Sequence, residues 1–150
     1  MQLKNGDWVI VCDAGKYIVY ENHGDTGRLD LRIVSFDTHD TPPTRELGTD
    51  KPGRFPSPNA QRASAGRAAV SNTDWHNEEE KRFIEALAGR MDAWARAEPA
   101  RSYVLVADPR SMGTMRKALR EETLGRVGHS VTGDHVHHPV EVIEKLILRA

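Results

Sequence analysis

The sequence predicts a single α/β domain in which helices flank a mixed β-sheet, with the elements in the order β-β-β-loop-α-β-α-β-α. Residues 103–107 are apolar on both faces and too few for an ordinary helix, which is typical of a strand in the middle of a sheet. Residues 8–36 hold three β-rich runs separated by turn signals. Three later stretches repeat apolar residues at helical spacing, so helices are expected to cover the sheet.

The composition is that of an ordinary globular chain of 150 residues with a formal net charge of −1. This net charge gives no overall attraction to nucleic acid or to an anionic membrane. No segment has the apolar length of a membrane span, and the first residues lack the features of a secretory signal, so we expect no membrane insertion. Cys12 is the only cysteine, so no intrachain disulfide can form and a cytoplasmic protein is expected. We expect no cofactor, and the oligomeric state is not indicated.

The N-terminal part predicts a three-stranded meander. Two β-rich runs, residues 8–12 and 17–20, are joined by a short link that contains Asp13 and Gly15, as in a hairpin. Residues 29–36 then alternate in character, which predicts a third strand with one wetter face near its start.

The first predicted helix begins at Thr73 or Asp74, either of which can cap it, and ends at Pro99. Its glutamates at the first turns favour the positive end of the helix dipole. One stripe is apolar and is expected to pack on the sheet: Ile84, Leu87, Met91, Trp94 and Ala95.

A strand–turn–helix unit follows, because Asp108 and Pro109 end the apolar run and have the residue types of a helix cap and a first helical position. Apolar residues at 112, 115 and 119 recur at helical spacing. Residues 126–131 predict a short edge strand, and Pro139 begins a last amphipathic helix. In an open α/β sheet, ligands usually bind at the edge where such strands end.

A long flexible loop is predicted at about residues 37–72, where five of the eight prolines lie and periodicity is absent. Its second half carries Lys51, Arg54, Arg62 and Arg67 with no acidic residue before Asp74. One interpretation is a mobile, solvated connector. The other is a surface that contacts phosphate or carboxylate groups of a partner, since arginine suits both. The edge near Arg110, Arg116 and Lys117 is predicted to contact the same partner.

Four motifs follow one another along the chain: Asp50-Lys51-Pro52-Gly53-Arg54, His76 with Glu80 and Phe83, the unit at residues 104–119, and His137-His138-Pro139 before an amphipathic helix. In this order they resemble the bacterial family named for a protein required for attachment to host cells. The resemblance runs from about Trp8 to Leu148. That family is regarded as distantly similar to the central domain of the archaeal and eukaryotic peptide-chain release factor. The resemblance therefore implies a ribonuclease-H-like architecture and a ribosome-facing relative.

The chemistry of these relatives can be compared with the residues present. Release depends on a Gly-Gly-Gln tripeptide, which this sequence lacks, so peptidyl-tRNA hydrolysis by that route is not expected. A nuclease of the ribonuclease-H type needs several carboxylates around two Mg²⁺ ions, and Asp13 and Asp108 at strand ends are candidates. The alternatives are an aspartate that closes the hairpin turn and an aspartate that caps a helix.

The histidines form a second set of candidates. His135 and His137 make a His-x-His pair, which on an extended backbone points both rings to one side, as zinc ligands require. His76 or His129 could supply a third ligand, and His76 is also a catalytic candidate. The alternative is that these rings face water and that His76 forms a surface pair with Glu80.

Two functional hypotheses follow. The first is a non-catalytic binding protein, associated with the ribosome or RNA, that affects host attachment indirectly. The alternative is a metal-dependent hydrolase, a nuclease or phosphoesterase, that uses Asp13, Asp108 and the histidines with a divalent metal. The sequence favours the non-catalytic hypothesis, because no further carboxylate that points into the site can be identified from the pattern.

Overall fold

A computed structural model of the chain describes residues 2–39 and 65–150, with side chains from residue 75 onward in the second range. The chain divides into two units, Met1–His39 with Lys81–Ala150, and Asp40–Glu80. The first unit is a mixed α/β domain with a five-stranded sheet, as predicted. In the second unit the described residues, 65–80, are helical.

The described residues form five strands and four helices. The strands are β1 Trp8–Cys12, β2 Lys16–Asn22, β3 Leu31–Thr38, β4 Tyr103–Ala107 and β5 Val127–Thr132. The helices are α1 Ala65–Ala97, α2 Pro109–Ala118, α3 Glu121–Leu124 and α4 Val140–Arg149. The short helix α3 was not predicted, because four residues are too few to show a helical period.

The strands lie in the order β3-β2-β1-β4-β5. β1 and β2 are antiparallel, as are β2 and β3, whereas β4 runs parallel to both β1 and β5. All five residues of β4 are buried, which confirms the prediction of a central strand. Parallel neighbours and two covered faces together explain why this strand is apolar throughout.

Two apolar layers cover the sheet. Face A, defined here as the side beneath α1 and α2, contributes Ile10, Tyr17, Val19 and Leu105 to a cluster with helical residues that include Leu87 and Met115. Face B, the opposite side beneath α4, contributes Val9, Ile18, Tyr20 and Val106 to a cluster with Ile143 and Ile147. Alternate residues of each strand therefore enter different layers.

Helix α1 begins at Ala65, so the prediction of a start at Thr73 or Asp74, and of a loop as far as residue 72, was wrong at this end. Alanines at 65, 68 and 69 are strong helix formers, and they extend the helix where no apolar stripe signals it. The predicted stripe is confirmed by the burial of Ile84, Leu87 and Met91. Although α1 has 33 residues, no helix within the described ranges is both long and apolar enough to cross a membrane.

The third strand begins at Leu31 and not at residue 29 as predicted. The reason is local: the Asn22 side-chain oxygen accepts hydrogen bonds from the Gly24 and Asp30 amides, at 2.9 and 3.0 Å, and closes a loop before the strand. Leu29, within that loop, is buried in the face B cluster. A β-bulge between β2 and β3 interrupts the register at Val19 and Tyr20.

The cap predicted for α2 is confirmed. Asp108 occupies the N-cap position with extended backbone, and its Oδ2 accepts a hydrogen bond of 3.1 Å from the Ser111 amide. Pro109 is the first helical residue, where the missing N–H costs nothing. β5 ends at Thr132, one position beyond the prediction, and Pro139 caps α4 with the helix beginning at Val140.

Leu105→Ala should lower the free energy of unfolding by about 2–4 kcal/mol. Leu105 is fully buried, so its truncation loses the transfer free energy of the removed atoms and creates a cavity. Urea denaturation measures this. Leu148→Ala is the matched control, since Leu148 is half-exposed in α4, and we expect a change within about 0.5 kcal/mol. Equal midpoints for Leu105→Ala and the parent would contradict a close-packed central strand.

Asp108→Ala should cost about 1 kcal/mol, because the Ser111 amide loses its capping acceptor. Asp108→Ser keeps an N-cap acceptor while it removes the carboxylate, and we expect its stability to stay close to that of the parent. Thermal or urea unfolding of the three proteins separates the two effects. If serine destabilised as much as alanine, the carboxylate would have a role beyond capping.

Candidate functional site

The parallel strands end in one row at one edge of the sheet. Cys12 in β1 lies opposite Ala107 in β4, and Ala107 lies opposite Thr132 in β5. The chain leaves β1 toward β2 on one side and leaves β4 toward β5 on the other. This divergence is the kind of switch point at which open α/β sheets bind ligands. The structure thus brings the predicted candidates Asp13 and Asp108, which directly follow β1 and β4, to this edge.

Asp13 holds the hairpin turn. Its Oδ1 accepts hydrogen bonds from the Gly15 and Lys16 amides, both at 2.8 Å. Its Oδ2 lies 3.7 Å from Nε2 of His137, whose side chain is largely exposed. One carboxylate oxygen therefore closes the hairpin turn, as the alternative to a catalytic role predicted for Asp13. The other oxygen faces a histidine.

Asp108 differs from Asp13 in having a buried oxygen without a partner. Its Oδ2 caps α2, whereas its Oδ1 is inaccessible to solvent and makes no hydrogen bond. Both carboxylates act on Cys12: burial, followed by the negative charges of Asp108 and Asp13, together raises the pKa of the thiol to about 12. A thiol with this pKa stays protonated near neutral pH, so Cys12 is neither a nucleophile nor a ready metal ligand.

The predicted histidine pair does not form as such. His135 lies beside His138, with their Nδ1 atoms 3.3 Å apart, whereas His137 faces Asp13. A Cβ on Gly133 would lie only 2.5 Å from Nε2 of His135, so the His135 ring would have to move if residue 133 carried a side chain. Within the described ranges no group of three or more His, Cys, Asp or Glu side chains is placed to hold a metal ion. These residues therefore do not fit the predicted metal centre.

A basic groove lies between α1 and α2. It has a volume of about 390 Å³ and is called the α1–α2 groove below. Its lining residues come from the two helices: Lys81 and Glu85 from α1, and Pro109, Arg110, Gly113, Thr114, Lys117 and Ala118 from α2. Three of these residues are cations and one is an acid. Lys81, Arg110 and Lys117 are all exposed at the surface.

The helical period explains the α2 side of the groove. Arg110, Gly113, Thr114 and Lys117 follow at intervals of three and four and share one face. The opposite face buries Met112 and Met115 against the sheet. Gly113 is an opening in this wall, because a Cβ built there meets no atom within 4 Å. Its exposed cations Lys81, Arg110 and Lys117 suit the groove to a negatively charged group.

Of the predicted binding residues, Arg110 lines the groove, whereas Lys51, Arg54 and Arg62 lie outside the described residues. The backbone of Arg67 belongs to α1, not to a loop. His76 also lies on α1, in the smaller unit, with its ring centre 5.6 Å from that of Trp75.

Sequence reasoning missed Lys81 as a site residue. Arg110, Arg116 and Lys117 were predicted as cations that contact a partner, and of these Arg110 and Lys117 line the groove. Nothing in the sequence shows that Lys81 lies beside them, because the two helices are joined through β4 and meet only by packing on face A.

The comparison with protein families gives one match across the domain. The family described as "Protein required for attachment to host cells" matches residues 8–147, which is most of the chain. No curated protein matches the sequence. The match begins at the first residue of β1 and ends within α4, so it includes every strand of the sheet. The chain therefore belongs to the family of proteins required for attachment to host cells.

Proposed function

We propose that this protein is a non-catalytic binding module that holds an anionic partner, RNA on or near the ribosome, in the α1–α2 groove. The observation that carries the proposal is the composition of the groove wall, in which the described residues include three cations, Lys81, Arg110 and Lys117, and one acid, Glu85. Such a partner would meet the protein in the cytoplasm, and host attachment would be affected indirectly.

The net charge of the whole chain implies that any binding of RNA depends on a local cluster of cations. With a formal net charge of −1, the protein has no general attraction for phosphate. A binding energy for RNA must therefore come from a cluster of cations. Each lysine or arginine that neutralises a phosphate releases counterions, so this kind of binding weakens steeply as salt increases.

The cations between residues 51 and 67 are also proposed to bind the anionic partner. Lys51, Arg54, Arg62 and Arg67 lie in a stretch of the sequence without an acidic residue, and the last of them is within α1. We propose that these cations contact phosphates of the same kind of partner.

A ribonuclease-H-like architecture, related to the central domain of release factors, is also part of the proposal. It is supported by the strand order β3-β2-β1-β4-β5, in which a three-stranded meander is continued by two parallel strands with helical connections. The absence of a Gly-Gly-Gln tripeptide from the sequence argues for a binding function without peptide release.

A metal-dependent hydrolase is the second candidate, and the unpaired buried Oδ1 of Asp108 favours it. The described residues do not supply three metal ligands at the sheet edge where β1, β4 and β5 end, so we derive no catalytic step there. We expect no stoichiometric Zn²⁺ or Mn²⁺ in protein purified without a tag. Metal that co-purifies and is lost in Asp108→Ala would favour the hydrolase.

The groove is tested by Lys81→Ala combined with Lys117→Ala. Removal of two phosphate contacts should weaken binding to purified ribosomes or ribosomal RNA and reduce the salt slope by about two units. The measurement is co-sedimentation and labelled-RNA titration across a salt series. Thermal melts should hardly change, because both lysines are exposed.

The matched control for this test is Lys4→Ala combined with Lys145→Ala, which removes the same charge from two exposed lysines that do not line the groove. It should bind as the parent does. Arg54→Ala combined with Arg62→Ala tests the cations of residues 51–67 separately. Failure of the parent to bind RNA or ribosomes at any salt concentration would refute the proposed function, and equal losses in groove and control variants would refute the groove as its site.

A further inference from the structure

Strand β3 forms one edge of the described sheet, and it exposes three large apolar side chains. Ile33 is 57% exposed, Val34 42% and Phe36 66%. An edge strand already carries backbone N–H and C=O groups that a further strand can pair with, and proteins usually protect such edges with charge or cover. An apolar edge of this kind is typical of an interaction surface.

The register with β2 assigns the β3 side chains to the two faces of the sheet. Ile33 lies opposite Tyr20 and Phe36 lies opposite Ile18, and both of those β2 residues belong to the face B cluster. Residues that lie opposite each other in antiparallel strands share a face, so Ile33 and Phe36 lie on face B.

The charged residues of β3 lie on the other face. Asp37 is opposite Tyr17, which belongs to the face A cluster. Arg32 is opposite Glu21, whose own β1 neighbour Trp8 packs against the same cluster. Arg32 and Asp37 therefore share face A.

The β-bulge makes this arrangement possible. In a regular strand, residues 32 and 37 would point to opposite faces, as would residues 33 and 36, because side chains alternate. The register shift places Ser35 opposite Val19 and Ile33 opposite Tyr20, so that Val34 is the extra residue. The two halves of β3 are thereby brought into a self-complementary pattern, with arginine and aspartate on one face and the apolar pair on the other.

We propose that the β3 edge is a homodimer interface, in which β3 pairs antiparallel with β3 of a second copy about a two-fold axis between Val34 and Ser35. In this register Arg32 lies opposite Asp37 of the second copy, and Ile33 lies opposite its Phe36. The two-fold axis repeats each contact, giving two ion pairs on face A and a cluster of four apolar side chains on face B. The sheet becomes continuous across the dimer.

The chemistry of the edge selects a second copy over another partner. An identical strand in this register matches an arginine with an aspartate and an apolar residue with an apolar residue, so the edge is complementary to itself. Arg32 is already paired with Asp30 at 2.9 Å, but this pair is exposed and rearranges at little cost. A net charge of −1 gives two copies almost no mutual repulsion.

Charge reversal with rescue tests the register. Arg32→Asp places two carboxylates opposite each other in both repeats of the contact, and Asp37→Arg places two guanidinium groups there. We expect each single variant to weaken dimerisation about tenfold or more, and the double variant to return to the affinity of the parent. Sedimentation-equilibrium centrifugation over a concentration series measures the dissociation constants, and thermal melts at low concentration confirm that the monomers fold.

Two further variants test whether dimerisation depends on the apolar residues of the β3 edge or on exposed apolar residues in general. Phe36→Lys should abolish the dimer, whereas Val142→Lys, at a 41% exposed apolar position of α4, should leave it unchanged. A parent protein that is monomeric at every concentration overturns the proposal, as does a dimer that tolerates the single charge reversals. Single variants that dissociate without rescue in the double variant overturn it too, because another occupant or register would then use the edge.

Discussion

The burial of β4 on both faces is the constraint on which the rest of the domain depends. Its backbone groups pair with β1 on one side and with β5 on the other, so none is left for water. Its side chains enter both apolar layers, with Leu105 in the layer beneath α1 and α2 and Val106 in the layer beneath α4. A strand of this kind is stable only when helices cover both faces, and parallel neighbours require crossover connections.

Polar contacts then secure α1 to the elements around it. Asp92 Oδ1 accepts hydrogen bonds from the Thr123 hydroxyl at 2.6 Å and the Arg120 amide at 3.2 Å, which fixes the short helix α3. At the sheet, the Arg90 guanidinium donates to the Tyr17 hydroxyl at 2.5 Å. The Arg126 guanidinium donates to the backbone carbonyl of Ala95. These contacts orient α1 beside α2, and the α1–α2 groove is the surface consequence of that packing.

At the edge of the sheet where ligands commonly bind, the two aspartates of this protein have structural roles. Asp13 uses one oxygen to close a turn and Asp108 uses one to cap a helix. Local hydrogen bonds of this kind are the usual role of aspartate at turns and helix starts. The cations of the proposed binding site, Lys81, Arg110 and Lys117, lie instead on α1 and α2. The functional proposals for this protein therefore rest on its helical surface and on its sheet edge, and less on the crevice between strands.

Elements with local signals were accessible from the sequence alone. The buried run of β4, the Asp108 cap with Pro109 and the stripe of α1 each depend on residues a few positions apart, and all three are confirmed. The sequence also determined that Asp13 and Asp108 follow core strands. It did not reveal the start of α1 at Ala65, because alanine favours a helix without creating an apolar period.

Only the tertiary structure decided which distant residues become neighbours. Lys81 and Lys117 line one groove because two helices pack side by side on face A, an arrangement that no local pattern encodes. Arg32 and Asp37 share a face because a bulge changes the alternation of β3, and the bulge appears only when β3 is aligned with β2. The periodicity of a segment follows from its own residues, whereas register and packing follow from the partner against which it is placed.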